Sequence, residues 1–330
     1  MTAIELPRAQ RGAEPQLLLT SLLGDFWYWR DEHIPSTALV RVLAEFGITP
    51  DGARSAMRRL ASRGLLTVAR SGRTTSYGIP ARTSEVVVQR THHMLTFGAS
   101  APAWDGRWTV VAFSVPEQDR EVRTALRTRL RVLRFAALYD GVWVSPHDSA
   151  AAVREVLDEL GVAAATVLRA TDVPGRSGAG DPRAAFDLES LAQEYREFVE
   201  RYAPLLDAVA AGRIGPAEAL RLRTTLRVDW RRFPEVDPDM PAHLLPEDWP
   251  RASAQGVFVQ IYDRLGPLAE LRFREVLARS DPELAALARH HDSATVAELY
   301  AGLGERMPRG DTPFERAAEA RRLADALPRE

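Results

Sequence analysis

Thr49-Pro50-Asp51-Gly52-Ala53-Arg54-Ser55-Ala56-Met57-Arg58-Arg59-Leu60-Ala61-Ser62-Arg63-Gly64 is the stretch on which the reading of this 330-residue chain turns. Thr49 suits a helix N-cap, Pro50 the first helical position and Gly64 the stop. Between them Ala53, Ala56, Met57, Leu60 and Ala61 recur at i, i+3, i+4, i+7 and i+8, which is one apolar face. The opposite face carries Asp51, Ser55, Arg58, Arg59 and Ser62, with Arg54 on its flank. An α-helix fits the major groove of B-DNA, where arginine bridges guanine O6 and N7 and serine meets several base edges. A basic helix face is ordinarily only solvated, so the neighbouring segments decide whether this one is more.

Upstream, Leu18, Leu19, Leu22, Leu23, Phe26 and Trp27 follow helical spacing. His33-Ile34-Pro35 interrupts, and Ser36 reads as the N-cap of a second helix bearing Leu39, Val40, Leu43 and Phe46, stopped at Gly47. Downstream, residues 65–69 and 74–79 read as two strands about the turn Arg70-Ser71-Gly72-Arg73. Helix, helix, turn, helix and hairpin is the winged helix-turn-helix order. Arg54, Ser55, Arg58 and Arg59 are placed to read bases, and Arg63, Arg70 and Arg73 to meet phosphates. Ser36, Thr37 and Thr74 complete the candidate DNA-binding set. The aromatic run Phe26-Trp27-Tyr28-Trp29 is expected to pack under the wing rather than stack on bases.

Charge supports the same stretch. All 43 basic residues are arginine, a planar and permanently charged fork suited to phosphate. The net charge of −2 hides a basic block: residues 51–82 hold seven arginines against Asp51 alone, a local +6, whereas the preceding fifty residues carry −2. With 45% apolar and 27% charged residues the composition is globular. The length predicts two or three domains. No apolar run approaches the roughly 18–20 residues of a membrane span, and the N-terminus lacks a secretory h-region. The absence of cysteine excludes disulfides, thiolate zinc sites, Fe–S clusters and a cysteine nucleophile. A cytoplasmic protein without a cofactor is expected.

The remaining chain divides by pattern. Residues 107–115 alternate as a strand, 117–133 as a helix, 135–138 and 141–145 as strands, 149–160 as a helix and 164–168 as a strand. This βαββαβ order is ferredoxin-like. Residues 171–183, with three glycines and two prolines, read as a linker. From 186 onward helical spacing dominates over 186–211, 216–233, 252–278, 282–291 and 313–327, with a proline-rich segment at 233–250. The expected fold is multidomain α+β. It comprises a tail (1–14), a winged helix-turn-helix (15–98), a ferredoxin-like central domain (99–170), a linker (171–185) and a mostly α-helical effector and dimerisation domain (186–330).

Three blocks carry a family resemblance. They are Ala53-Arg54-Ser55-Ala56-Met57-Arg58-Arg59-Leu60 with Arg63-Gly64-Leu65 and the wing Gly72-Arg73; Trp104-Asp105-Gly106-Arg107-Trp108 with Gly141-Val142-Trp143-Val144-Ser145-Pro146; and Asp229-Trp230-Arg231-Arg232-Phe233 with Leu244-Leu245-Pro246-Glu247-Asp248-Trp249-Pro250. Together they resemble the PaaX-type transcriptional regulators, repressors of phenylacetate catabolism. The resemblance covers nearly the whole chain. It implies a non-enzymatic dimeric repressor, released from a palindromic operator by an aryl-acyl-CoA thioester such as phenylacetyl-CoA. Arg54 and Arg59 match the family's recurrent arginines, while position 58 is usually small or polar there, so Arg58 would shift operator preference.

The same residues admit other functions. The central domain also resembles a CRISPR spacer-acquisition nuclease, which makes a metal-dependent nuclease the alternative function. That chemistry needs an acid at the end of the first strand, and here the strand ends Phe113-Ser114-Val115-Pro116. His92-His93 and His290-His291 point about 100° apart on a helix, do not share a metal, and are expected to be solvated. The glycine-rich 175–180 lacks the Lys-Ser/Thr of a phosphate loop. A CoA thioester needs cations for its phosphates and aromatic walls for an aryl group. Trp230, Arg231, Arg232 and Trp249 supply both, unless they are an ordinary surface pair beside an interdomain tryptophan.

Overall fold

The computed structural model describes residues 15–27, 30–171 and 181–303. The first unit is α1 (Pro15–Phe26), β1 (Ile34–Pro35), α2 (Ser36–Ala44), α3 (Pro50–Ser62), β2 (Thr67–Ser71), β3 (Thr74–Gly78) and α4 (Ala81–Thr96). A second runs β4 (Trp108–Phe113), α5 (Arg120–Val132), β5 (Ala136–Tyr139), β6 (Val142–Ser145), α6 (Ala150–Glu159) and β7 (Ala165–Ala170). Helices follow: α7 (Leu188–Tyr202), α8 (Leu206–Ala210), α9 (Pro216–Trp230), α10 (Phe233–Val236), α11 (Arg251–Ala278), α12 (Pro282–Ala285) and α13 (Ser293–Leu303). The protein is thus mixed α+β, with two small antiparallel sheets of order β1-β3-β2 and β5-β6-β4-β7 among the described residues. No helix among them is long and apolar enough to cross a membrane.

The central sheet uses its period-2 alternation on both sides. Val111 and Phe113 of β4 join Trp143 against Leu126, Leu130 and Val153 of α5 and α6. Trp108 and Val110 turn to the other face together with Val144 of β6, and Met240 and Leu245 cover part of it. The second hydrophobic cluster is larger. It runs without a break from Leu18 through Met57, Met94 and Trp230 to Val296, so the N-terminal and C-terminal helices bury one another. Helix α9 has no exposed residue, as the innermost helix of a bundle must, whereas α11 buries most of its surface and keeps one exposed stripe through Gln260, Arg264, Pro267, Leu271 and Glu275.

Several segments differ from their sequence pattern. Residues 186–211 break after Tyr202 because Pro204 lacks an N–H and its ring would strike the preceding turn. Pro267, by contrast, is accommodated inside α11. Helix α12 is far shorter than 282–291. Strand β1 and helices α4 and α13 have no counterpart in the sequence reading. Ser36 is the first residue of α2 and not its cap; Pro35 precedes it, and no side chain caps that end. The histidine pairs are not solvated: all four are partly buried, His92 stacks on Tyr300 with centroids 3.8 Å apart, and His290 pairs with Glu270 at 2.6 Å. Phe26 and Trp27 do pack in the core. Tyr28, Trp29, residues 175–180 and the helix expected at 313–327 lie outside the described residues.

One buried carboxylate ties the bundle together. Asp25, at the end of α1, accepts from Arg223 Nε at 3.0 Å, Arg227 Nη1 at 2.5 Å and the Tyr262 hydroxyl at 2.5 Å. Arg223 also donates to the Tyr262 carbonyl and, at 2.7 Å, to the His291 carbonyl. Arg227 reaches Thr91 of α4 at 3.1 Å. Burial alone would raise the Asp25 pKa, but the two guanidinium groups outweigh it and hold the carboxyl below its ordinary value. A Cβ at Gly266 would collide with His290 and Arg223, so this helical glycine makes room for the cluster.

Breaking a buried ion pair from one side leaves uncompensated charge and costs about 3–5 kcal/mol. Asp25→Asn should therefore lower the urea-unfolding free energy by that amount, and a change below about 1 kcal/mol would contradict the assigned role. His291 gives a pH test. Burial, with repulsion from His290 and Arg223, holds its pKa down at about 4, against about 6.5 when unfolded. The folded state binds fewer protons in that interval, so this stability is complete above pH 6.5 and is lost as pH falls toward 4. His291→Gln should flatten the stability profile over that window in urea titrations.

Candidate nucleic-acid interface

Helix α3 forms where the sequence places it. The Thr49 hydroxyl accepts from the Gly52 N–H at 3.2 Å, Pro50 opens the helix, and Gly64 ends it at φ +68°. Ala53, Ala56, Met57 and Leu60 are buried against α1 and α2. Arg54, Arg58, Arg59 and Arg63 are exposed and Ser55 is half-buried. Arg54 Nη1 meets Asp51 Oδ1 at 3.1 Å, a pair in open solvent. Such pairs contribute little, so Asp51 releases Arg54 cheaply to a stronger acceptor. Arg58, Arg59 and Arg63 have no ion pair among the described residues, although many arginines elsewhere face a carboxylate.

The hairpin continues this cationic surface. Strands β2 and β3 pair in register from Thr67↔Gly78 to Ser71↔Thr74, leaving Gly72-Arg73 as a two-residue loop. Gly72 has φ +56° and Arg73 does not enter the left-handed region, the pattern of a type II′ turn matched to strand twist. Arg70, Arg73 and Thr74 are exposed, and neither arginine has an ion pair among the described residues.

Strand β1 joins the hairpin, with Ile34 opposite Tyr77 and Pro35 opposite Ser76. The pairing brings the start of α2, with half-buried Ser36 and exposed Thr37, beside the hairpin. His33 fixes this corner: its Nε2 lies 2.9 Å from Thr67 Oγ1, and a Cβ at Gly78 would press on its ring at 3.1 Å. The sequence reading missed His33, because a two-residue strand leaves no periodic signal. All ten candidate DNA-binding residues thus belong to one small body in which α2 touches both α3 and β3.

The four effector candidates are not brought together in the same way. Trp230 is fully buried; its indole donates to the Met94 carbonyl at 2.8 Å and stacks on Phe258. Arg231 and Arg232 face solvent, opposite Glu235 at 3.5 Å and Glu194 at 2.8 Å. Trp249 is half-buried, edge-on to Tyr195. A shallow recess holds Arg232 and Arg201 beside Phe198 and Phe233, but Glu194, Glu197 and Asp229 line it too. Within it Asp229 accepts from Arg201 at 3.0 Å and from the Tyr202 hydroxyl at 2.7 Å. Among the described residues no group of three His, Asp or Glu side chains is placed to hold a metal ion.

Thr49→Ala removes one cap hydrogen bond and should cost about 1 kcal/mol in chemical denaturation. Retention of full stability would show that the cap does not hold α3.

Three family models match the chain in order. They are "PaaX-like protein" over residues 14–83, "PaaX protein central Cas2-like domain" over 101–183 and "PaaX-like protein C-terminal domain" over 186–275. The transcriptional repressor PaaX of Escherichia coli (strain K12) is 28% identical over 258 residues, covering 76% of this chain and 80% of the relative. Among solved structures, the uncharacterized protein Rv0674 from Mycobacterium tuberculosis aligns at 24% identity with a TM-score of 0.47, covering 80% of this chain and 98% of that one.

Proposed function

Because the chain belongs to the PaaX family of transcriptional regulators, we propose that it is a homodimeric repressor whose residues 15–98 act as a winged helix-turn-helix on a palindromic operator. The supporting observation is the set of exposed arginines at 58, 59, 63, 70 and 73, which have no carboxylate partner among the described residues and lie on one helix, its C-terminal end and the adjoining hairpin. Helix α3 enters the major groove, where Arg54, Ser55, Arg58 and Arg59 read base edges. Arg63, Arg70, Arg73, Ser36, Thr37 and Thr74 position the unit on the sugar-phosphate backbone. Two copies occupy half-sites one or more helical turns apart.

Residues 99–170 serve as a module for dimerisation and signal relay; its ferredoxin-like reading is supported by the strand order β5-β6-β4-β7 with α5 and α6 against one face. Residues 171–185 act as the linker, and the helices from 186 onward take the effector and the dimer partner. The effector we propose is an aryl-acyl-CoA thioester. Arg231, Arg232 and Trp249 are the candidates to touch it, while buried Trp230 shapes the surrounding core from within. A coupling of about 3 kcal/mol between effector and operator would weaken DNA affinity roughly 150-fold.

Gel-shift titration tests the division of labour on α3 and the wing. Arg59→Ala should lose about 1–3 kcal/mol of discrimination between operator and random duplex. Arg73→Ala should weaken both duplexes alike and reduce the salt slope by about 1. Equal losses of discrimination from both substitutions would refute the assignment. For the effector, a CoA thioester present at about 100 times its dissociation constant should stabilise the protein by about 2.7 kcal/mol. A thermal-shift panel in which no thioester raises the melting temperature would remove that part of the reading.

A further inference from the structure

Helices α2, α3, α6 and α8 are each followed by a left-handed glycine, Gly47, Gly64, Gly161 and Gly212, with φ between +65° and +76°. Glycine is the inexpensive residue there, since other L-residues bring Cβ against the backbone. Helix α5 closes with the same geometry: Arg134 N–H donates to the Arg131 carbonyl and Phe135 N–H to the Leu130 carbonyl. Its left-handed residue is nevertheless Arg134, at φ +62°. Asp239, at φ +53°, is the other non-glycine residue with positive φ among those described. These two strained residues face each other in an ion pair, Arg134 Nη1 to Asp239 Oδ2 at 2.9 Å.

The pair sits where three segments of the chain meet. Asp239 turns its other carboxylate oxygen to Arg251 of α11 at 2.9 Å. Both guanidinium groups lie over the ring of Phe97 at the end of α4, 6.0 and 5.5 Å from its centroid. A Cβ on Gly98 would press on Arg251 Cγ at 3.0 Å, so α4 ends hard against that arginine. From the central sheet, His147 Nε2 donates to the Pro238 carbonyl at 2.7 Å. Asp237 anchors the inner end, accepting from the Tyr195 hydroxyl at 2.7 Å and from the Asp239 N–H at 2.6 Å. The inner pair of Arg251 and Asp237 is buried, whereas Arg134 and Asp239 keep 17% and 22% exposure. Backbone strain of this kind persists only where the surroundings over-determine it, and it gathers at switches and clamps.

We propose that Arg134 and Asp239 are positioning residues that set the orientation of the central sheet unit against the helix-hairpin unit, and so the spacing of half-sites that the dimer reads. The proposal rests on the repressor reading above. Arg134→Gly is the informative substitution. It supplies the residue that the end of α5 otherwise favours and removes only the side-chain clasp.

The DNA probes are duplexes selected from a random pool by the wild-type protein, then remade with a few base pairs inserted between the half-sites, together with a single half-site. Insertion should weaken wild-type binding by about tenfold or more, and Arg134→Gly or Asp239→Asn binding by under about threefold. Single half-site affinity should stay at the wild-type level, and Arg134→Lys should restore the wild-type penalty. An undiminished penalty in Arg134→Gly, or an equal loss on the single half-site, would overturn the proposal. Small-angle scattering of the DNA-free protein separates this failure from failure of the repressor reading. Arg134→Gly should broaden the distance distribution whether or not the wild type binds DNA, and an unchanged profile overturns the proposal.

Discussion

The Asp25 carboxylate is the constraint around which the larger part of the molecule is arranged. One acid at the end of α1 holds two guanidinium groups one turn apart on α9 and a tyrosine hydroxyl on α11. Withdrawing these charges from water is expensive, and their mutual attraction returns it only in near-ideal geometry. The cluster therefore acts as a register pin, because a small slip of α1 along α9 would strand buried charge. Helix α3 packs on α1 and α2, α1 packs on α9, and α2 packs on α11. Pairing of Glu45 at the end of α2 with Arg272 of α11 at 2.7 Å reinforces that contact. The arginine-bearing helix is thereby seated on α1 and α2 of its own unit, and through them it is held to the C-terminal bundle.

The central sheet is joined differently. Its larger cluster is self-contained, and its attachment to the rest runs through Trp108, Val144 and Met240 and through polar groups around Asp239. Polar contacts with partial water access exchange partners at lower cost than a close-packed core does. A change in the relative orientation of the units thus meets less resistance at this joint than between α1 and α9. With lysine absent, one residue type serves opposite ends. Arginine is buried and paired at 223, 227 and 251, and exposed with no carboxylate partner among the described residues at 58, 59, 63, 70 and 73. The side chain is the same, and its surroundings decide whether it organises a core or stays in solvent.

Elements with a strong local signal were legible. The i, i+3, i+4 apolar positions of α3, its Thr49 cap and the Gly72 turn carry their structure in adjacent residues, as does the alternation of β4. Elements that depend on distant partners were not. Strand β1 exists because β3 lies beside it, and two residues have no measurable period. Helix α4 is steadied by Arg227, Trp230 and Gln255 from α9 and α11, which hold Thr91, Met94 and Leu95. Trp230 illustrates the limit for function. Its neighbours Arg231 and Arg232 face water, and only the packing of α9 against α11 shows that the indole points the other way.

Sequence alone determined what neighbours on the chain can settle: helix periodicity, the stop at Gly64, a hairpin with a glycine-containing turn, the basic block and the resemblance that groups three segments into one family. Tertiary structure alone decided which charges are spent inside and which remain outside. It paired Asp25 with residues about two hundred positions away and left Arg58 and Arg59 of α3 exposed, without an ion pair among the described residues. It also set an arginine in the left-handed position where other helices place glycine. The physical reason is range: capping and periodicity act over one or two turns, whereas desolvation and ion pairing depend on whatever the fold brings within a few ångströms.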